Sequence, residues 1–291
     1  MNSMRHLFLT WLLLLILPLS AAAQSYRDDL GRVIDLPQPP QRIVSLAPSV
    51  TETLFALGAQ ASLVGVTRQC DYPPAAQALP LVGDYTAPSL EAIAALQPQL
   101  VVLNAAAGSP QLLTSLERLG VKVYIVQPLD LAGVRHLFRQ LGAMVQRPEA
   151  AAGLVRQLDE ALAAVRRPVT AASPRVLFLA STRPLMVAGP QTLPGELLAA
   201  VGARNPVPAG TARYPTWTEE ALLLTDPDII LAVRGMGETD PAAWVGQWPV
   251  LRAVQRQRVQ LLEPDLVFRP GPRLAAGLRA VARAVWGEAR P

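Results

Sequence analysis

One pattern occurs twice in the 291-residue chain: a short helix, a polar residue followed by proline, and a buried strand. The first copy is LEAIAALQPQLVV at residues 90–102, and the second is EEALLLTDPDIIL at residues 219–231. Strands flank both copies in the same order: RIVSL at 42–46 and RVLFL at 175–179, then VYIVQP at 123–128 and VQLLEP at 259–264. The three offsets, 133, 129 and 136 residues, exceed the period of a solenoid and differ only as loops do. The sequence therefore predicts two related lobes, each built on one copy of the same sheet.

Strands alternate with helices along both halves of the chain. The strands are short apolar runs, such as residues 63–66 and 100–103, of the kind found in parallel sheets covered on both faces. This alternation predicts an α/β fold with parallel sheets and right-handed crossovers. Ligands of such sheets bind beyond the carboxyl ends of the strands, so we expect the binding site in a cleft between the lobes.

A long helix is predicted at the middle of the chain. Pro148 and Glu149 suit its first turn, apolar residues recur at helical spacing as far as Val165, and Pro168 ends it. A helix from residue 149 to 166 is about 27 Å long. We therefore predict this organisation: a first lobe at 24–147, a connecting helix at 148–167 and a second lobe at 168–291.

Two local signals precede the first repeat copy. The segment from Tyr26 to Leu36 contains two extended pieces broken by a glycine, which predicts a small hairpin. Ser49 and Glu52 have the S-x-x-E spacing of a capping box, in which each side chain satisfies a free backbone N–H at the start of a helix. This spacing predicts a helix that begins near Ser49 and stops at Gly58.

Residues 1–23 have the pattern of a cleavable signal peptide: a basic start, an apolar run from Leu7 to Leu17 and three alanines before the cut. The apolar run rises only about 16 Å as a helix, against about 30 Å for a bilayer core. No cysteine follows it, so we expect no lipid anchor. The mature chain is therefore expected to be a periplasmic monomer that does not insert into the membrane.

Composition argues against several classes of function. Cleavage after residue 23 removes Arg5 and leaves 25 basic and 22 acidic residues spread along the chain, a balance that does not favour nucleic acid. Cys70 is the only cysteine, so no intramolecular disulfide forms and we interpret the thiol as a bystander. His136 is the only histidine after cleavage and lies on a predicted helix surface, which argues against a metal site. The chain has no G-x-S-x-G and no phosphate-binding glycine loop, so no catalytic residues are predicted.

Several segments resemble the periplasmic substrate-binding proteins of ABC importers for vitamin B12, iron siderophores and haem. They are RIVSLAPS at 42–49, Thr51-Glu52, ALGA at 56–59, VGV at 64–66, DYPP at 71–74 and the first repeat copy. The resemblance covers nearly the whole chain after residue 23. The DYPP turn and the closing RPGPR at 269–273 are most similar to the cobalamin-binding members.

The resemblance implies two Rossmann-like lobes joined by a single long helix, the fold of class III periplasmic binding proteins. It also implies that cobalamin or a related corrinoid is held between the lobes as transported ligand, without any cofactor. The partner would be a dimeric ABC permease with its ATPase. A receptor for a ferric siderophore or haem on the same fold is the alternative, and an exported enzyme is a more distant one.

The repeat places Glu91 and Glu220 at equivalent positions near the start of a helix in each lobe. Such carboxylates can simply stabilise the helix dipole. Two lobes related by a pseudo-twofold axis can also present one carboxylate each to a symmetric partner. In the family that the chain resembles, glutamates at these positions dock to arginines of the permease.

The resemblance also implies a set of ligand contacts in the cleft: Ser49, Gln69, Tyr85, Asn104, Met186, Tyr214, Asp265, Leu266, Val267, Phe268 and Arg269. Gln69, Asn104 and Met186 stand where the family has aromatic residues. Tyr85 and Tyr214 lie in predicted loops after strands, where large flat side chains tend to face a ligand. Trp217 suits the cleft and the core equally.

Charged and iron-ligating side chains keep the alternative ligands open. Five arginines lie in loops expected near the cleft: Arg68, Arg183, Arg213, Arg234 and Arg269. Siderophores with carboxylate or catecholate groups favour several convergent arginines. Haem requires an axial ligand, and Tyr85 or Tyr214 could supply one.

Overall fold

The first lobe is organised around a four-stranded parallel sheet, with a hairpin before it. The computed structural model describes residues 24–237 and 239–287, so the predicted signal peptide at residues 1–23 lies outside the described residues. The elements of this half are β1 (Gln24–Arg27), β2 (Val33–Leu36), β3 (Ile43–Ser45), α1 (Pro48–Ala56), β4 (Leu63–Val66), α2 (Leu90–Ala95), β5 (Leu100–Asn104), α3 (Pro110–Arg118), β6 (Lys122–Val126) and α4 (Leu131–Met144). The strand order is β4-β3-β5-β6, and β1 pairs with β2 as the predicted antiparallel hairpin.

The long helix α5 (Pro148–Val165) follows, and then the second lobe repeats the arrangement. Its elements are β7 (Val176–Thr182), β8 (Leu185–Val187), α6 (Leu193–Ala200), α7 (Glu219–Thr225), β9 (Ile229–Val233), α8 (Pro241–Val245), α9 (Arg252–Gln255), β10 (Val259–Leu262), α10 (Pro264–Val267) and α11 (Leu274–Trp286). The strand order is β8-β7-β9-β10. The exact limits of the two lobes stay a prediction.

The internal repeat is confirmed down to the register of the sheets. In the first lobe Val101 pairs with Val123, and at the equivalent place in the second lobe Ile230 pairs with Val259. Both ladders are parallel, as expected for strands joined by helical crossovers.

One edge strand departs from the predicted parallel arrangement. Strand β8 runs antiparallel to β7, whereas its counterpart β4 is parallel to β3. Only Arg183 and Pro184 separate β7 from β8. A parallel return needs a crossover of a dozen or more residues, so a two-residue connection permits only a hairpin.

Each sheet buries both faces, and the inner faces share one core. Phe178 on β7 and Val102 on β5 belong to this shared core, whereas Val101 and Leu177 face separate outer cores. Helix α5 packs against α4 of the first lobe and α11 of the second, and contributes Leu154 and other residues to the shared core. The connector is therefore part of the interior of both lobes rather than a free linker.

The predicted capping box is wrong. Helix α1 begins at Pro48 with Ala47 as its N-cap, and no side chain caps it. Proline suits the first helical position because its φ is already helical and it has no N–H to satisfy, so the helix starts before Ser49. Ser49 and Glu52 therefore lie inside the helix, and both are buried.

Gly277 lets α11 pack directly on α10. A Cβ atom at this position would lie 1.9 Å from the carbonyl oxygen of Leu266. We expect Gly277→Ala to displace α10 and lower the free energy of unfolding by about 1–3 kcal/mol, measured by urea denaturation. Gly153→Ala on α5 is the matched control, because its Cβ would meet only the Arg156 side chain, at 3.8 Å. The control should gain about 0.5–1 kcal/mol from helix propensity, and equal stabilities of the two variants would contradict the prediction.

None of the helices within the described residues is long and apolar enough to cross a bilayer.

Candidate functional site

A cavity of about 290 Å³ lies between the two lobes, at the carboxyl ends of the first-lobe strands. Ser49 follows β3, Gln69 follows β4 and Asn104 ends β5, so three neighbouring strands each deliver one polar side chain. Its lining is Ala47, Pro48, Ser49, Gln69, Tyr85, Asn104, Phe268, Arg269 and Pro270. This position, beyond the strand ends, is where open α/β sheets bind ligands.

Backbone hydrogen bonds orient the polar side chains on the first-lobe wall. The Gln69 Oε1 atom accepts a hydrogen bond from the backbone N–H of Tyr85 at 2.8 Å. The Asn104 Oδ1 atom accepts one from the backbone N–H of Ala106 at 2.9 Å. Burial raises the pKa of the Tyr85 phenol, so it stays protonated and uncharged near neutral pH. This wall therefore offers amide, hydroxyl and aromatic groups without a net charge.

Aromatic contacts fix Phe268 on the second-lobe wall. Its ring meets Phe178 edge-on, with centroids 5.6 Å apart, and lies 6.3 Å from the ring of Tyr214. Phe178 belongs to the shared core, so the aromatic surface of the cavity is anchored to the interior of the protein.

Five ionisable side chains form an interlobe charge cluster beside the cavity: Glu52 and Asp71 from the first lobe, and Asp265, Arg269 and Arg273 from the second. The guanidinium of Arg269 lies 2.7 Å from Asp71, 3.2 Å from Glu52 and 2.8 Å from Asp265. Arg273 donates two hydrogen bonds to Glu52, at 2.7 and 3.0 Å. The cluster therefore joins the two lobes by charge-assisted hydrogen bonds.

Burial differs strongly across the charge cluster. The Glu52 side chain is 1% exposed and that of Asp71 is 47% exposed. Hydrogen bonding from Arg269 holds the pKa of Asp71 below its ordinary value, so this carboxyl stays ionised at neutral pH. Arg273 also stacks on the ring of Tyr72, 4.3 Å from its centroid.

The structure brings together six of the eleven side chains named as ligand contacts: Ser49, Gln69, Tyr85, Asn104, Phe268 and Arg269. Two more touch this group, since Asp265 pairs with Arg269 and Tyr214 lies against Phe268. Met186 lies on edge strand β8 and is absent from the cavity lining.

Leu266 and Val267 do not line the cavity, contrary to the sequence expectation. Val267 is fully buried in the shared core. Leu266 packs partly against the same core and lines a separate groove that α11 also lines. Residues 264–267 form one helical turn, so consecutive side chains point in different directions.

Three tryptophans of the second lobe, Trp217, Trp244 and Trp248, pack in or against its outer core. Trp217 contacts that core, which resolves its ambiguous assignment in favour of packing. Trp244 and Trp248 meet edge-on with centroids 4.6 Å apart.

Cys70, in the first lobe, is buried, and its Sγ lies 3.3 Å from the Thr67 hydroxyl.

Sequence reasoning missed Glu52, Asp71 and Arg273 as residues of the site. Asp71 and Arg273 lie in the DYPP and RPGPR segments that carried the resemblance, which was the available signal. Glu52 was assigned to a cap instead. Its partner Arg269 lies 217 positions away, a distance at which local spacing carries no information.

Glu91 and Glu220 occupy matching environments. Each lies in the first turn of its helix, α2 or α7, two residues after an N-cap hydroxyl, that of Ser89 or Thr218. Hydrogen bonds from its own backbone N–H and from that hydroxyl lower the pKa of each glutamate. Both side chains are exposed and ionised at neutral pH.

Both the sequence and the fold of this chain are similar to those of periplasmic binding proteins. Residues 43–267 match the family model described as periplasmic binding protein. The vitamin B12-binding protein of Photorhabdus laumondii is 30% identical over 238 residues, which cover 81% of this chain and 84% of that protein. The structure of the periplasmic vitamin B12 binding protein BtuF of Vibrio cholerae matches with a TM-score of 0.72 at 27% identity, over 85% of this chain and 97% of that one. A periplasmic heme-binding protein from Pseudomonas aeruginosa matches with a TM-score of 0.73 at 31% identity, over 87% and 95% of the two chains.

Proposed function

Because this chain belongs to the periplasmic binding protein family, we propose that it captures cobalamin or a related corrinoid between its lobes and delivers it to an ABC importer. The observation that carries the proposal is the interlobe cavity, whose lining is uncharged apart from Arg269. Curated and solved relatives named for vitamin B12 support the same ligand. In this role the chain acts as a periplasmic receptor without catalysis.

The chemistry of the cavity suits a corrinoid. A corrin is a large flat ring that carries many amide side chains, so it requires stacking surface and scattered hydrogen-bonding groups. Tyr85 and Phe268 supply aromatic surface, and Ser49, Gln69 and Asn104 supply hydroxyl and amide groups. The cavity is at the lower end of the size range of about 300–1,000 Å³ for small-molecule sites, so we expect the lobes to separate further around the ligand.

We expect the chain from residue 24 onward to bind cyanocobalamin, and Tyr85→Ala to weaken binding about tenfold through loss of stacking area. Isothermal titration calorimetry measures both affinities. Leu224→Ala is the control, because that apolar side chain is 88% exposed and is absent from the cavity lining. Absence of cyanocobalamin binding at micromolar concentration would reject the proposed ligand.

A haem receptor is the second candidate, because the Pseudomonas aeruginosa heme-binding protein is similar in both sequence and structure. Two tyrosines lie at or beside the cavity, Tyr85 in its lining and Tyr214 against Phe268. Burial raises the pKa of both phenols, which opposes the phenolate that binds ferric iron. Parallel titrations with haemin and ferric citrate distinguish these ligands from cobalamin.

Delivery requires a docking surface, and we assign it to Glu91 and Glu220. Their matched positions on the two lobes, and their exposed ionised carboxylates, suit a permease with twofold symmetry. One receptor monomer would present one glutamate to each permease subunit.

A further inference from the structure

Arg269 is the only charged residue in the cavity lining, within the part of the chain that the structure describes. Each of its three guanidinium nitrogens faces a carboxylate oxygen. Nε lies 2.8 Å from Asp265, and Nη1 lies 2.7 Å from Asp71 and 3.2 Å from Glu52. Nη2 lies 3.5 Å from the second Asp71 oxygen. The positive charge that a ligand would meet is therefore already directed at protein carboxylates.

The second guanidinium of the charge cluster is compensated in the same way. Arg273 binds Glu52 through two nitrogens and lies 3.2 Å from Asp265. The cluster thus contains three carboxylates and two guanidiniums, a formal charge of −1. Glu52 is buried, so water screens its charge poorly.

The other arginines expected near the cleft lie outside the cavity lining. Arg68 pairs with Asp84 at 2.9 Å, and Arg213 donates to the carbonyl oxygen of Leu129 at 3.1 Å. Neither of these side chains lines the cavity, and the same holds for Arg183 and Arg234. Proteins that bind carboxylate-rich ligands usually aim convergent, uncompensated arginines at them.

We propose that the interlobe charge cluster selects against ligands that carry carboxylates, with Asp71 as the specificity-determining residue. This inference rests on the proposed function and narrows its ligand to corrinoids whose side chains remain uncharged amides. A carboxylate that approaches Arg269 must compete with Asp71 for the same nitrogens, and it meets net negative charge. Within the charge cluster, Asp71 is the carboxylate that can be substituted with less effect on folding, because its side chain is half exposed whereas that of Glu52 is buried.

The test compares ligand pairs that differ in charge but share a scaffold. One pair is cyanocobalamin and its monocarboxylic acid, in which one amide is hydrolysed. The other pair is haemin and haemin dimethyl ester. The measured quantity is the ratio of dissociation constants within each pair, for the wild type, Asp71→Asn and Asp159→Asn. Asp159 is a matched control, because it is 49% exposed and pairs with an arginine, Arg135, at 2.6 Å outside the cleft.

We expect the wild type to bind the uncharged member of each pair more tightly. Asp71→Asn should shift the ratio toward the carboxylate about tenfold, and the shift should shrink at high salt. Asp159→Asn should keep the wild-type ratio. A ratio in Asp71→Asn equal to that of the wild type in both pairs would overturn the proposal, as would a wild-type preference for the carboxylates.

The two ligand pairs separate this inference from the proposed function. If the wild type binds no cyanocobalamin but Asp71→Asn still shifts the haemin ratio, the corrinoid assignment fails and the charge selection stands. If cyanocobalamin binds and neither ratio moves, the corrinoid assignment stands and the charge selection fails.

Discussion

Reversal of both Glu91 and Glu220 to arginine should abolish transport by the cognate importer while leaving ligand affinity unchanged. Each glutamate is exposed in the first turn of its helix, and neither side chain lines the cavity. Like charges placed opposite each other at an interface cost several kcal/mol, so two reversals on a symmetric partner should prevent docking. A single reversal should leave partial transport, because the other lobe still docks.

Uptake of labelled ligand by cells or proteoliposomes measures transport, and calorimetry measures ligand affinity. The control is Glu149→Arg combined with Glu160→Arg, which makes the same change in charge at two exposed sites on α5. Transport that survives the double reversal of Glu91 and Glu220 would disprove the docking assignment.

Replacement of Glu52 by glutamine should destabilise the fold by about 3 kcal/mol, because it leaves two guanidiniums beside a buried uncharged partner. Glu52 accepts hydrogen bonds from both Arg269 and Arg273 and is 1% exposed. Denaturation by urea at neutral pH measures the change. Glu117→Gln provides the comparison, because Glu117 also pairs with an arginine, Arg32, at 2.9 Å but is 56% exposed.

The exposed pair should contribute less than about 1 kcal/mol. Similar losses in the two variants would mean that water reaches the guanidiniums of the charge cluster and that Glu52 has no special role. A loss confined to Glu52→Gln would confirm that the N-terminal half of α1 holds an interlobe ion pair rather than a helix cap.

The architecture was predictable because its signals are local. The apolar spacing of α5, the alternation of strands and helices, and the repeated copies at 90–102 and 219–231 can each be seen within a short window of sequence. The antiparallel direction of β8 was not predicted, because a short apolar run carries no information about strand direction. The two-residue connection before it was the relevant signal.

The site was predictable only in part, because its residues converge from distant segments. Strand ends determine where Ser49, Gln69 and Asn104 lie, so knowledge of the sheet is enough to place them together. The directions in which the Leu266 and Val267 side chains point depend instead on the rotation of a single helical turn. Ser49 and Glu52 do have the S-x-x-E spacing, but the helix begins at Pro48, before Ser49. The buried Glu52 carboxylate therefore pairs with distant arginines instead of capping the helix.

The core shared through α5 also has a consequence for how the chain folds. The apolar faces of α5 are covered partly by α4 and partly by α11, the last helix of the described chain. The first lobe thus reaches its final packing only when the chain is complete as far as α11. Until then a large apolar surface is open to proteases and to aggregation. We therefore expect the two halves, when synthesised separately, to be insoluble alone and to recover solubility only when they are produced together.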